Sequence, residues 1–240
     1  MEKEEFYREM RENSLKLDIE LNEEQLEKLY MYMDILLEWN QKMNLTAITD
    51  KKEIILKHFV DSLTINKYID KNKSIIDVGT GAGFPGIPIK IIRDDVEVVL
   101  VDSLNKRINF LNEVINKLEL KNIKAIHARA EEIGKTEEYR EKFDISTSRA
   151  VANLSTLSEY LIPLVKINGK CICMKGPDIN EEIEQSKVAI KTLGGKIEDI
   201  KSFRLPNSDF SRNIVIVKKI SKTDKKYPRK AGIPSKEPIR

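Results

Sequence analysis

Asp77-Val-Gly79-Thr-Gly81-Ala-Gly83-Phe84-Pro85-Gly86 is the stretch on which the reading of this chain turns. It continues the short apolar run Ser74-Ile-Ile, read as a strand, and opens a helix near Pro85, where proline suits the first turn. Glycines in such a place let the backbone turn sharply and bring its N–H groups close to a ligand. The spacing Gly81-x-Gly83-x-x-Gly86 also satisfies the dinucleotide fingerprint, so the loop by itself leaves the cofactor open.

On the C-terminal side of the loop, short apolar runs alternate with amphipathic ones. Strands are expected at 96–101, 123–127, 143–148 and 169–174, and helices at 104–118, 154–164 and 178–193. Strand and helix in alternation predict a mainly parallel sheet covered on both faces. After Gly194-Gly195 two more strands, 196–203 and 213–220, are separated only by a loop with Pro206, Asn207 and Ser208, so they must pair antiparallel. The expected fold is α/β and Rossmann-like, with seven strands, mainly parallel, and a terminal antiparallel strand.

On the N-terminal side the pattern is helical. Asn22-Glu-Glu-Gln25 matches a capping box, and Leu26, Leu29, Tyr30, Met33, Leu36 and Leu37 follow at helical spacing. A polar break at 40–49 precedes a second helical stretch, 53–68, which carries His58 and Asp61 beside a buried stripe of Leu56, Phe59, Val60 and Leu63. Three parts are expected: a helical extension over 1–70, the sheet domain over 71–220 and a basic arm over 221–240.

The ends of successive strands carry acids. Asp77, ahead of the first glycine, suits a cationic sulfonium ligand with an amino group and would repel a pyrophosphate. Asp102 follows the second strand, where a carboxylate can accept from both hydroxyls of a ribose. Ala130-Glu131 follows the third, where a backbone N–H and a neighbouring side chain can read the edge of an adenine.

Net charge is only +3, but its distribution is uneven. Residues 1–50 carry 13 acidic and 6 basic side chains, a net of −7, and residues 201–240 carry 12 basic and 3 acidic, a net of +9. The tail contributes Lys218, Lys219, Lys222, Lys225, Lys226, Arg229 and Lys230 around Tyr227, an arrangement suited to phosphates, with the aromatic ring available for stacking. Cys171 and Cys173 lie two apart on a strand, expected as small buried residues rather than a disulfide or a zinc pair. No apolar run is long enough for a bilayer and Met1-Glu-Lys-Glu-Glu is no secretory leader, so a cytoplasmic, membrane-free protein is expected.

From Trp39-Asn-x-x-x-Asn-Leu-Thr-Ala-Ile and His58-Phe-Val-Asp-Ser-Leu, through the glycine loop and Asp102-Ser103, the chain resembles the ribosomal RNA small-subunit methyltransferase G family, also called glucose-inhibited division protein B. Arg129-Ala-Glu-Glu, Ser148-Arg-Ala-Val-Ala, Met174-Lys-Gly and the tail Tyr227-Pro-Arg-Lys-Ala-Gly-Ile-Pro extend the likeness from about residue 20 to the end. The resemblance implies a class I S-adenosylmethionine-dependent enzyme that methylates N7 of a guanine, position 527 in the 530 loop of 16S ribosomal RNA. It also implies that Gly79, Gly81, Phe84, Asp102, Ser103, Ala130, Glu131 and Arg149 surround the donor and that no metal is needed. The partner would be 16S ribosomal RNA, in the small subunit or an assembly intermediate, and the protein is expected to be a monomer.

The residues agree with such chemistry by what they lack. N7 of guanine has an in-plane lone pair, so no proton need leave before attack, and positioning in a dry site can suffice. The proline-rich motif of exocyclic-amine methylation is replaced by Ser148-Arg149-Ala150-Val151. Arg149 and Lys175, each ending a core strand, are the catalytic candidates, since a guanidinium can bond guanine O6, a phosphate or the donor carboxylate. Lys225, Lys226, Arg229 and Lys230 are the candidate RNA contacts, with Arg229 expected nearest the base. Still open are a nicotinamide-dependent reductase, a methyltransferase for a small metabolite and a catalytically silent, RNA-binding assembly factor.

Overall fold

A computed structural model of the chain describes residues 1–149 and 151–240; Ala150, in the Ser148-Arg149-Ala150-Val151 stretch, lies outside the described residues. The chain begins with α1 (Lys3–Leu15) and α2 (Glu23–Lys42), then α3 (Lys51–Ile54), a π-helix (Ile55–Val60) and α4 (Asp61–Leu63). There follow β1 (Ser74–Val78), α5 (Gly86–Ile92), β2 (Glu97–Asp102), α6 (Asn105–Lys117), β3 (Ile123–His127), α7 (Ala130–Ile133) and β4 (Phe143–Arg149). The last elements are α8 (Leu154–Leu161), β5 (Val165–Lys175), α9 (Asn180–Thr192), β6 (Gly195–Arg204), β7 (Ser211–Lys219) and, in the tail, α10 (Ile233–Lys236).

The strands form one sheet in the order β3-β2-β1-β4-β5-β7-β6. The first five pair in parallel, and β7 runs antiparallel to both β5 and β6. Because the chain winds outward in opposite directions from β1, a crevice opens at the carboxyl ends of β1 and β4, the usual ligand position in such sheets. The reversal of β7 has a consequence for this crevice. Its beginning, not its end, lies at the same edge, with Asn213 paired to Lys175 at the end of β5.

Alternation along the strands feeds two cores. Ile75 and Ile172 join one cluster, with Phe6, Leu36, Phe59 and Phe110 from the helices on that face. Ile76, Cys171 and Cys173 join the other, with Leu157 and Leu161 of α8 and Ile190 of α9. The N-terminal helices share the first cluster with the sheet, anchored by Tyr32, whose hydroxyl donates to the Ala82 carbonyl of the glycine loop. The expected capping box starts α2, with Gln25 N donating to Asn22 Oδ1 at 2.9 Å and Asn22 N to Gln25 Oε1 at 3.1 Å. Both thiols are buried, which pushes Cys171 up to about 12 and Cys173 higher, so neither is a nucleophile at neutral pH.

One expectation is corrected. The stretch 53–68 is not one α-helix but widens into the π-helix, where Arg149 Nη1 donates to the Lys57 carbonyl at 3.0 Å and Ser62 Oγ to that of His58 at 2.6 Å. The stretch expected as a basic arm, 221–240, lies against the sheet domain with Thr223 and Pro228 buried, and at the end of β7 Lys219 is fully buried in a pair with Glu141 at 2.7 Å. Among the described residues, no helix is long and apolar enough to cross a membrane.

Candidate active site

The crevice holds two joined compartments, of about 680 and 240 Å³, that share Gly79, Asp102, Ser103 and Val151 in their walls. The glycine loop divides them. Gly79 N and Thr80 N both donate to the Val101 carbonyl, at 2.8 and 3.1 Å, so the loop is tied to β2. Gly81 N donates to Asp102 Oδ2 at 2.9 Å, which ties it to the carboxylate as well. Gly81 has φ +61°, and a Cβ added there would meet nothing within 4 Å, because it would project into open space.

Asp102 closes β2 almost fully buried, yet it borders both compartments. Its Oδ1 accepts from Leu104 N at 3.0 Å, and Arg107 Nη1 approaches Oδ2 at 3.1 Å. Ser103 is exposed beside it, and its carbonyl faces His127 Nε2 at 3.0 Å. Ala130 and Glu131, at the start of α7, line the smaller compartment together with Gly79 of the glycine loop. The residues expected around a nucleoside thus converge on one cavity from the ends of three adjacent strands.

Asp77 departs from expectation. It is fully buried beneath the loop rather than open to a ligand, and its Oδ2 accepts from Thr80 Oγ1 at 2.6 Å and Gly86 N at 2.9 Å. Gly86 is required by this approach, because a Cβ there would stand 2.3 Å from Leu100 Cδ2 and 3.0 Å from Asp77 Oδ2. Among the described residues, the other oxygen, Oδ1, has no hydrogen-bond partner. Burial raises the carboxyl from 3.8 to about 6, against the pull of the two bonds it accepts. Asp77 is a strut for the loop.

In the wall of the larger compartment the expected Phe84 and Arg149 are joined by residues that the sequence had not assigned there. Phe84 is buried with His58 stacked on its ring at 4.6 Å, Tyr32 stacked at 5.3 Å, and the Arg149 guanidinium 5.0 Å from its centroid. Arg149 Nη1 donates to Asp61 Oδ2 at 3.2 Å, and Nη2 faces His58 Nδ1 at 3.2 Å. With Nδ1 accepting from Arg149, the neutral ring carries its proton on Nε2, which donates to Thr46 Oγ1 at 2.9 Å. Burial, and then the adjoining Arg149 charge, push His58 down to about 3, so it stays neutral at physiological pH. Asp61 also accepts from Arg212 Nε at 3.2 Å, placing one buried carboxylate between two guanidiniums.

Arg149 therefore borders the cleft, with Nη1 and Nη2 directed at Asp61, His58 and the π-helix carbonyl of Lys57. Lys175 is engaged too, with Nζ 2.5 Å from Glu182 Oε1 and donating to the Ala152 carbonyl at 2.7 Å. In the tail, Lys225, Lys226 and Lys230 are exposed, whereas Arg229 is drawn inward by Glu159, which is fully buried on α8. Arg229 Nη2 donates to Glu159 Oε2 at 2.7 Å, and its N and Nε to Oε1 at 2.7 and 3.0 Å. An acid buried in an apolar helix must be paired, and that requirement outweighs any reach of Arg229 toward a base. Arg212, Asp61 and Asn213 line the cleft although sequence reasoning gave them no role there.

The model of the rRNA small subunit methyltransferase G family matches residues 25–215. A ribosomal RNA small subunit methyltransferase G of Acetivibrio thermocellus is 58% identical over 222 residues, 92% of this chain and 91% of that protein. The protein of the same name from Clostridium perfringens is 56% identical over 224 residues, 92% of this chain and 94% of the relative. Solved structures share the fold at lower identity. M. jannaschii TYW2 in complex with AdoMet superposes with a TM-score of 0.51 at 17% identity, over 65% of this chain and 74% of that one. A SAM-dependent methyltransferase from Aquifex aeolicus gives 0.51 at 16%, over 75% and 97%.

Proposed function

This chain belongs to the rRNA small subunit methyltransferase G family, and we propose that it moves the methyl group of S-adenosylmethionine to N7 of a guanine in 16S ribosomal RNA. The observation that carries the reading is the pair of joined compartments. The smaller one has Glu131 and Ala130 for a nucleobase, and Asp102 at the junction for a ribose diol. The larger one begins at the glycine loop, which leaves room for the amino-acid end of the donor, and opens toward Arg212 and Lys57.

In the proposed reaction the N7 lone pair displaces the sulfur in line, so the carbon–sulfur bond breaks as the carbon–nitrogen bond forms. Positive charge passes from the sulfonium to the base, and S-adenosylhomocysteine leaves neutral at sulfur. No proton is taken, and the larger compartment agrees: His58 is neutral with both ring nitrogens engaged, and Asp61 is held by two arginines. What this chain supplies is orientation. Phe84, clamped by Tyr32, His58 and Arg149, gives a fixed floor, so the reacting atoms can be held near attack distance.

RNA recognition in this reading is divided between rim and tail. Arg212 and Lys57 flank the exposed Phe210 ring, with Lys57 Nζ 4.5 Å and the Arg212 guanidinium 6.0 Å from its centroid. Lys225, Lys226 and Lys230 are proposed as phosphate contacts on the outer face of the tail. The test is methyl transfer to naked 16S RNA, an assembly intermediate and whole small subunits, with the modified nucleoside identified by mass spectrometry. 7-Methylguanosine on one of these supports the reading. Methylation at an exocyclic amine, or of a small metabolite alone, would overturn it.

A further inference from the structure

The basic tail is built into the other end of the cleft. After β7, Ile220 N and Ser221 N donate to the Gly194 carbonyl at 2.8 and 3.1 Å, which turns the chain back across the domain. Arg140 then gathers it, donating to the carbonyls of Tyr227 at 2.7 Å, Thr223 at 2.8 Å and Asp224 at 3.1 Å. Pro228 packs so closely on Gly134 that a Cβ there would lie 2.9 Å from its ring. Beyond it the Arg229–Glu159 pair fixes the chain on α8, and Thr156 Oγ1 of the same helix donates to the Pro234 carbonyl at 3.0 Å. Between those two anchors, Gly232 N donates to Glu131 Oε1 at 2.8 Å.

Glu131 is the residue that the donor reading assigns to adenine, so the tail bonds directly to a ligand group. Gly232 and Ser235 also form part of the wall of the smaller compartment, together with Val101, Asp102 and Tyr160. We propose that residues 229–236 are a strap that completes the nucleoside site of the donor, with Arg229 as its positioning residue and Glu131 as the group it orients. The inference rests on the donor reading of the cleft. It gives the tail two faces: exposed lysines outward, and backbone turned inward to the nucleoside.

The wall is made by chain that arrives last in sequence and, between its anchors on α8, meets the site through the Gly232–Glu131 bond, so breaking that bond can admit the nucleoside and remaking it can close on it. Closure would bury the adenine edge between the start of α7 and the strap, strengthening its hydrogen bonds by excluding water. A strap of this kind acts on the nucleoside end of the donor, not on the methionine end, because Gly232 and Ser235 border only the smaller compartment. That asymmetry supplies the test.

Amide hydrogen exchange on the full-length, unmodified protein should show residues 229–236 slowed by saturating adenosine and by S-adenosylmethionine, but not by methionine. Calorimetry should then show donor affinity falling roughly tenfold in Arg229→Gln, the scale of one lost charge-assisted contact. Arg229→Lys should recover part of it, while affinity for a 16S RNA fragment stays unchanged in both. The strap is refuted if adenosine leaves exchange at 229–236 unaltered, or if a folded Arg229→Gln binds the donor as the parent does. Loss of RNA affinity with donor affinity intact would likewise refute it and return the tail to RNA. If the unmodified protein binds no S-adenosylmethionine, the donor reading itself has failed. Should Arg229→Gln not fold, the exchange measurement decides by itself.

Discussion

The two compartments of the cleft are built by opposite means. The smaller side, proposed for the nucleoside, collects backbone groups and single acids from the ends of β1, β2 and β3, which are neighbours in the sheet, so topology alone brings them together. The larger side depends on Thr46, His58, Asp61, Arg149 and Arg212, from separate segments, with Arg212 bonded to Asp61 across 151 positions of sequence. There, position is enforced by pairing buried charges. A side built by topology should respond to changes in the backbone, one ligand contact at a time. A side built by charge pairing should fail as a unit.

The largest effect expected is therefore Asp61→Ala. Removing the shared carboxylate leaves two largely buried guanidiniums without their partner and should cost about 3–5 kcal/mol of folding stability. Urea denaturation measures it, and the pair Asp61→Ala with Arg212→Ala should be strongly non-additive. Additive losses would mean that the cluster is three independent contacts.

On the other side, Gly81→Val should abolish calorimetric donor binding while lowering stability by only about 1–2 kcal/mol, the cost of a side chain in the left-handed region. The new side chain occupies open cleft rather than core. Normal donor affinity in a folded variant would move the amino-acid end of the donor elsewhere. Asp102→Ala should weaken donor binding by about 1–3 kcal/mol through loss of a charged acceptor. Arg107 is released at the same time, so a 2′-deoxy donor analogue on the parent protein gives the comparison: similar losses place the ribose on Asp102.

The same contrast explains what could be read from sequence. The loop, Asp102 and Ala130-Glu131 were legible because each sits at a fixed offset from a strand end, and parallel strands in sequence become neighbours in space. The π-helix was not, because the spacing of Leu56, Phe59, Val60 and Leu63 fits an ordinary helix and the Arg149 contact to its Lys57 carbonyl comes from far along the chain. Arg212 had a signal that went unused. A final antiparallel strand begins at the edge where parallel strands end, so a basic residue at its start faces the ligand crevice. The tail had one too. Glu159 interrupts the otherwise uncharged stretch Leu154–Leu161, and such an acid calls for a cation from somewhere. The lysine run drew attention to phosphates instead, although Arg229 was the partner.

The smallest effect separates the compartments by pH. His58, in the larger one, is held down to about 3 from 6.5, and Asp77, under the loop, is held up at about 6 from 3.8. Below pH 6.5 the unfolded chain protonates His58 more readily than the folded one does, so this residue makes stability rise with pH between about 3 and 6.5. Asp77 does the reverse. Its carboxyl binds a proton more readily when folded, so its contribution to stability is present below pH 3.8 and is lost as pH rises through about 6. The two slopes oppose one another across most of their range and largely cancel in the parent protein. Asp77→Asn, which keeps an acceptor for Thr80 and Gly86, removes one of them. Its stability relative to the parent should rise as pH increases from 4 to 6.5, and donor affinity should stay unchanged, because the carboxylate faces the loop rather than the cleft. His58→Gln should do the opposite, losing relative stability over the same interval. Denaturation series at several pH values, read as differences from the parent, check both. A donor affinity that collapses in Asp77→Asn would return that carboxylate to the ligand, and parallel rather than opposed slopes would mean that the burial of one of the two groups has been misjudged.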